Sequence, residues 1–368
     1  MGNFDDLVFT IPKEFHNWYG FARPRGFLRG TTMMPKGKLY LDFTAITKAQ
    51  TMEVPHTHHA LDEYIVLATA DFNNFYDGFD AEIEIWLGED PERLELHVIT
   101  EPVIIRIPPK LYHCPIHFKR IDKPVLFSAI YPDGDWSKIT RKLDAEGREE
   151  FQYDGAGIRR CVKDRSKECI YCGECFSKKM QDFEKAGKKD PPPHEEMVKP
   201  YHEMAKQPRT GKYDKYVFKY KPEYHDDPNF LSPRTGFRGH EEMDESRIWY
   251  TQNIVQRECV IGESHMHHSV EEYLFFTGSD IAKFFEFDAE VEIQIGEDPD
   301  HMETYTITEP TVVRVPAQFW HGPVTIKRLG APINFMPLYE SGSYGRITRE
   351  SGTGSAAKYV YKGNDLPK

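Results

Sequence analysis

Two sets of three histidines and an acid share one spacing. "PHTHHALDEY" (55–64) is followed by "PPKLYHCP", and "SHMHHSVEEY" (264–273) by "PAQFWHGP". In an extended strand residues i and i+2 share a face, so His56 with His58, and His265 with His267, aim two imidazoles at one point. An acid on the next strand and a distant histidine, His113 or His321, complete three nitrogens and one oxygen, a donor set that suits Fe, Mn, Ni, Cu or Zn. Glu63 and Glu272 rank first as the acid because both are Glu, with Asp62 and Glu271 as the alternative. His59 and His268 are further candidate ligands, although adjacent strand residues face opposite ways, which turns both outward.

A second chemistry is written in "KECIYCGECFSKKM" (167–180). Three cysteines at two-residue gaps, Cys169, Cys172 and Cys175, resemble the ligation segment of bacterial-type ferredoxins over about ten residues, including a glycine that lets the chain wrap a cluster. The fourth thiolate is Cys161, with Cys259 as the alternative. The resemblance implies one [4Fe–4S] cluster; four thiolates also suit structural zinc.

The elements that must position these residues come from a duplication. "FDAEIEIWLGEDPERLELHVITEP" (79–102) returns as "FDAEVEIQIGEDPDHMETYTITEP" (287–310), and "EFH...RPRGFLRG" (14–30) returns as "EYH...SPRTGFRG" (223–239). Ile83, Ile85 and Leu87 alternate with Glu82 and Glu84, as Val291, Ile293 and Ile295 do with Glu290 and Glu292, which is the period of a half-buried strand. Proline-stopped β-branched runs and repeated "GEDP" turns complete an all-β reading. The expected limits are 1–155 and 213–368 for the repeats and 156–212 for a cysteine-rich loop or helical insert.

The repeated histidine motifs resemble those of the cupin superfamily, H-x-H-x(3,4)-E and P-x(4)-H, across both repeats. That resemblance implies a bicupin: two jelly-roll β-barrels, each with a divalent metal, Fe, Mn or Zn and also Ni, held by His56, His58, Glu63 and His113 or by His265, His267, Glu272 and His321. It also implies that the barrels mimic a cupin dimer, so that the segments before each repeat cross to brace the other sheet. Further assembly into a homodimer is compatible with this reading.

Near the expected metals, Tyr64 and Tyr273 follow the acids, and Arg106 and Arg314 lead towards the distal histidines. These four are the candidate catalytic residues, an arginine beside an open metal position being suited to clamp a carboxylate. Arg106, Arg314, Arg29 and Arg238 also fit a plainer reading, each paired with a Glu on an outer face. Cys114 reads as a small buried thiol.

Composition bounds the function. The chain has 368 residues, 39% hydrophobic, six cysteines and a net charge of −12. That acidity disfavours nucleic acid and anionic lipid. No apolar run spans a membrane and the first residues do not read as a secretory signal, so a cytoplasmic protein is expected. The 156–212 insert has 14 Lys and Arg against 9 Asp and Glu, a basic face suited to an acidic electron carrier. The expectation is therefore a metal-dependent oxidoreductase acting on a small, carboxylate-bearing molecule, redox-linked through the cluster. Its alternatives are a non-redox isomerase, decarboxylase or dioxygenase with structural zinc, and a small-molecule-binding or sensing protein.

Overall fold

The computed structural model describes residues 2–363 apart from 17–18, 35, 59–60, 133–136, 144–145, 147 and 156–193. The described chain is β-rich and divides into two compact units, Pro12–Lys219 and Tyr220–Lys368, the latter together with Met1–Ile11.

In the first unit an antiparallel sheet runs in the order Val217–Lys219, Val103–Ile107, Glu63–Thr69, Val125–Tyr131, Tyr40–Ile46, Arg25–Arg29, Lys13–Glu14. A second sheet orders Gln50–Met52, Tyr112–Ile121, Ala81–Gly88 and Glu95–Ile99. The strand period decides what lies between them. Ile65, Leu67, Ile105 and Ile107 from one sheet meet Ile83, Ile85 and Leu87 from the other in one buried cluster. Each such side chain contributes roughly 1.5–3 kcal/mol on full burial, so the unit has a core that does not depend on its polar residues.

The second unit repeats the order. Thr311–Val315, Glu272–Gly278, Ile333–Tyr339 and Trp249–Val255 are neighbours in one sheet, as their counterparts are in the first. Val291, Ile293 and Ile295 meet Leu274, Phe276, Val313 and Val315 in the core.

The first strand of each repeat pairs with the other repeat, as the cupin resemblance implies. Val8–Thr10 adds to Thr311–Val315, with Val8 opposite Val313, and Val217–Lys219 adds to Val103–Ile107, with Val217 opposite Ile105.

The described end of the insert forms a helix, His194–Met204. Its Val198 is buried with Trp86 and Leu94, and His202 Nε2 lies 2.6 Å from Glu84 Oε2. No helix among the described residues is long and apolar enough to cross a membrane.

Candidate metal centres

In the first unit a short extended segment, not a long strand, carries the His-x-His pair. His56 bridges His113 and Thr57 bridges Ile139, which leaves both imidazoles on the side facing the sheet of Glu63. The ligand-capable nitrogens of His56, His58 and His113 all lie within 4.8 Å of one another. Glu63 Oε2 is 2.9 Å from both His58 Nε2 and His113 Nε2. The second unit repeats this arrangement. Donor atoms of His265, His267, Glu272 and His321 lie within 4.8 Å of one another, with Glu272 Oε2 3.2 Å from His267 Nε2 and 2.8 Å from His321 Nε2.

Backbone carbonyls set the orientation of the rings. His56 Nδ1 donates to Val54 O at 2.8 Å, His265 Nδ1 to Glu263 O at 2.8 Å and His267 Nδ1 to Gly345 O at 2.5 Å; His58 Nδ1 donates to Ser137 O. A carbonyl oxygen only accepts, so Nδ1 carries the proton and Nε2 presents a lone pair to the centre. Burial, reinforced by a neighbouring imidazole, pushes His56 well below the ordinary histidine range and His265 down to about 3. Both are therefore neutral near pH 7, as ligation requires. Burial also pushes Glu63 and Glu272 upward, but the imidazoles around them overcome it and hold both carboxyls well below their usual value.

These donors fit a divalent cation. His321 Nε2 is buried and lacks a hydrogen-bond partner of acceptable geometry although Glu272 Oε2 is 2.8 Å away. An off-line approach of this kind arises when donor and carboxylate both aim at a shared third point. A tyrosine backs each acid: Tyr131 donates to Glu63 Oε1 at 2.6 Å, and Tyr339 hydrogen-bonds Glu272.

The neighbouring acids go elsewhere. Asp62 accepts from Arg106 Nε at 2.9 Å and Glu271 from Arg314 Nε at 2.9 Å. Tyr64 is paired in register with Arg106, and Tyr273 with Arg314. All four alternate with inward-facing Glu63, Ile107, Glu272 and Val315, so strand parity puts them on the opposite face of each sheet. The expected catalytic set of Tyr64, Arg106, Tyr273 and Arg314 is thus brought together pairwise, away from the imidazoles. The cause is local, since a residue next to an inward Glu points outward.

Other side chains surround the first centre. A cavity of about 130 Å³ is lined by His56, His58, Glu63 and His113 together with Arg25, Arg29, Asp42, Tyr131 and Lys138. Arg25 is held by Glu14, by Asp42 Oδ2 at 3.0 Å and by Thr44 Oγ1 at 3.1 Å. The Arg29 guanidinium stands 5.2 Å from the Phe27 ring centroid, and Lys138 Nζ is 2.6 Å from Glu53 Oε2. Cys114 also lines the cavity and is buried; burial pushes its thiol well up. Arg29 therefore does not occupy an outer face. The signal was in the repeat, where Glu14, Arg25 and Arg29 recur as Glu223, Arg234 and Arg238.

No protein-family model matches the chain, and no curated protein does. Solved structures do. Bacillus subtilis oxalate decarboxylase, in a structure used to assign the fine-structure parameters of its Mn(II) centres, superposes with a TM-score of 0.55 at 12% identity, covering 94% of this chain and 80% of that one. Another oxalate decarboxylase structure, addressing substrate binding and a switch of reaction specificity, gives 0.54 at 11% identity with the same coverages. The chain has a β-rich, cupin-like fold that resembles that of oxalate decarboxylase.

Two expectations are corrected by these findings. Cys161, Cys169, Cys172 and Cys175 lie outside the described residues, and Cys259 lies in a strand of the second unit, paired opposite Ile326. Among the described residues the groups able to hold a metal are the two histidine clusters with their glutamates. The fold is shared with a decarboxylase along nearly the whole chain, whereas the ferredoxin likeness spans about ten residues. A [4Fe–4S]-linked oxidoreductase with an acidic electron carrier is accordingly not the reading that fold and sites support.

Proposed function

We propose that the chain is a metal-dependent lyase that releases CO2 from a small carboxylate. The observation that carries this reading is the convergence of three imidazoles and one carboxylate on a cavity that Arg29 and Lys138 also line. Likeness to oxalate decarboxylase supports the substrate class. The repeats, 1–155 and 213–368, would each form a cupin barrel carrying a centre, joined by the 156–212 segment.

His56, His58, Glu63 and His113 would hold a divalent ion such as Mn, Fe or Zn, which when bound supplies Lewis-acid polarisation of a carboxylate oxygen. Arg29 binds the substrate carboxylate through its guanidinium fork. Arg29 is itself buried, and the low local dielectric strengthens that contact. When the bond to CO2 breaks, its electron pair stays on the remaining carbon, and the Lys138 ammonium gives that carbon a proton and regains one from solvent. Charge and atoms balance with one proton consumed and CO2 released, so no external electron donor is needed.

The test is CO2 release from a panel of two- to four-carbon mono- and dicarboxylates by protein loaded with Mn, Fe or Zn. Turnover of at least one member, lost in Lys138→Met while substrate binding persists, supports the reading. Absence of CO2 from every pairing overturns it.

A further inference from the structure

The cavity of the second unit is built in part from counterparts of the first, Arg25, Arg29, Tyr40, Asp42 and Lys138 recurring as Arg234, Arg238, Trp249, Thr251 and Arg346; Glu14 and Glu63 persist as Glu223 and Glu272 outside its lining, and the balance of charge is inverted. It measures about 520 Å³ against about 130 Å³. The first cavity is lined by four carboxylates, Glu14, Asp42, Glu53 and Glu63, against the cations Arg25, Arg29 and Lys138. In the repeat, Asp42 becomes Thr251, Glu53 becomes Gly262 and Phe27 becomes Gly236. The described residues lining the second cavity include no carboxylate and four cations, Arg234, Arg238, Arg346 and Lys362.

Local pairing does not cancel that charge. Glu223 serves two guanidinium groups, Arg234 Nε at 2.9 Å and Arg238 Nε at 3.0 Å, with Glu242 nearby accepting from the Arg238 backbone N–H at 2.7 Å, where Arg25 of the first unit is ion-paired to both Glu14 and Asp42. Arg346 comes only within 4.0 Å of exposed Glu263. The side chains of Arg234, Arg238 and Arg346 are 39%, 29% and 29% exposed, against 6% for Arg25. Cations that share a carboxylate and stay about a third in water keep affinity for an added anion. Between them runs an aromatic wall: Trp249 and Tyr344 stack at 5.2 Å and 24°, with Arg238 5.6 Å from the Trp249 centroid. Tyr339, which backs Glu272, lines the same space.

We propose that this cup is a binding site for an aromatic polycarboxylate, its planar body against Trp249 and Tyr344 and its carboxylates on Arg234, Arg238 and Arg346. Such a ligand carries the charge that the second cavity lacks. The site stands apart from the lyase reading, because it needs no CO2 release to be observed.

Trimesate is the probe, with benzoate and oxalate as comparators, titrated into the full-length protein and followed by calorimetry and tryptophan fluorescence. Trimesate is expected to bind about tenfold or more tighter than benzoate, with fluorescence quenching and strong weakening by salt. Thr251→Asp, which restores the acid of the first unit, should weaken it about tenfold or more, as should Arg346→Gln at a partly exposed position where folding is not at stake. Arg29→Gln in the first unit should leave trimesate affinity unchanged. Equal affinity for trimesate and benzoate, survival of binding in both second-unit variants, or its loss in Arg29→Gln would each overturn the assignment.

Discussion

Tyr131 donates its phenolic proton to Glu63 Oε1 at 2.6 Å, leaving Oε2 of the same carboxylate 2.9 Å from two imidazoles. The phenol thus fixes which oxygen faces the centre. Burial, followed by the charge of Glu63, pushes Tyr131 well above the ordinary phenol range, so it acts as a donor throughout the working pH range. Removing a group that orients a ligand costs about 10–100-fold in metal affinity. Tyr131→Phe should lose that much Mn or Zn affinity in the first unit, measured by competition with a chelator; undiminished affinity would show that the hydroxyl does not orient Glu63.

The two centres should load independently. The His56→Ala/His58→Ala double variant is expected to fall from two metal equivalents to one by elemental analysis, with the remaining equivalent bound by His265, His267, Glu272 and His321. Its thermal transition should stay cooperative, because the cluster built on Ile65, Ile83 and Ile105 does not include the histidines. Loss of both equivalents would mean that the second centre is organised by the first.

Away from the centres, buried His97 should make stability depend on pH. Burial, helped by Arg209 and opposed by Asp214 and Glu95, lowers its pKa from 6.5 to about 4. The folded state therefore prefers the neutral ring, and the stability this represents is complete above pH 6.5 and is lost as pH falls towards 4. One pH unit in that window corresponds to about 1.4 kcal/mol at most. Denaturant titrations at pH 7 and 5.5 should show His97→Gln losing about 1 kcal/mol less than the wild type. Parallel losses would place the acid sensitivity elsewhere.

The two clusters able to hold a metal were legible because their spacing is local and repeated. His56 and His58 share a strand face, and a second copy with Glu in the same place points to Glu63 over Asp62. The placement of Tyr64 on the other face went unread in the sequence, although period two turns the neighbour of an inward Glu outward. The lining of the cavities was not legible. Arg25 is satisfied by Glu14 and Asp42, residues on three different strands, and only the sheet order brings those strands together. The charge inversion between the cavities likewise depends on Asp42 and Thr251 facing inward, which burial shows and a polar residue in an apolar run does not announce.

The choice between adjacent acids gives the sharpest comparison. Glu63 faces three imidazoles, whereas Asp62 and Arg106 form an ion pair at 2.9 Å with each side chain only 7% exposed. Glu63→Gln keeps the shape but removes the anionic oxygen that two imidazoles approach, so metal affinity in the first unit should fall by more than about a hundredfold, beyond the loss from a group that merely orients a ligand. Asp62→Asn should leave two metal equivalents in place and instead remove the carboxylate charge from its buried ion pair with Arg106, destabilising the unit by up to about 3–5 kcal/mol. Chelator competition reads the first effect and chemical denaturation the second. If Asp62→Asn strips the metal while Glu63→Gln retains it, the ligand is Asp62 and the strand in solution has the opposite face turned inward.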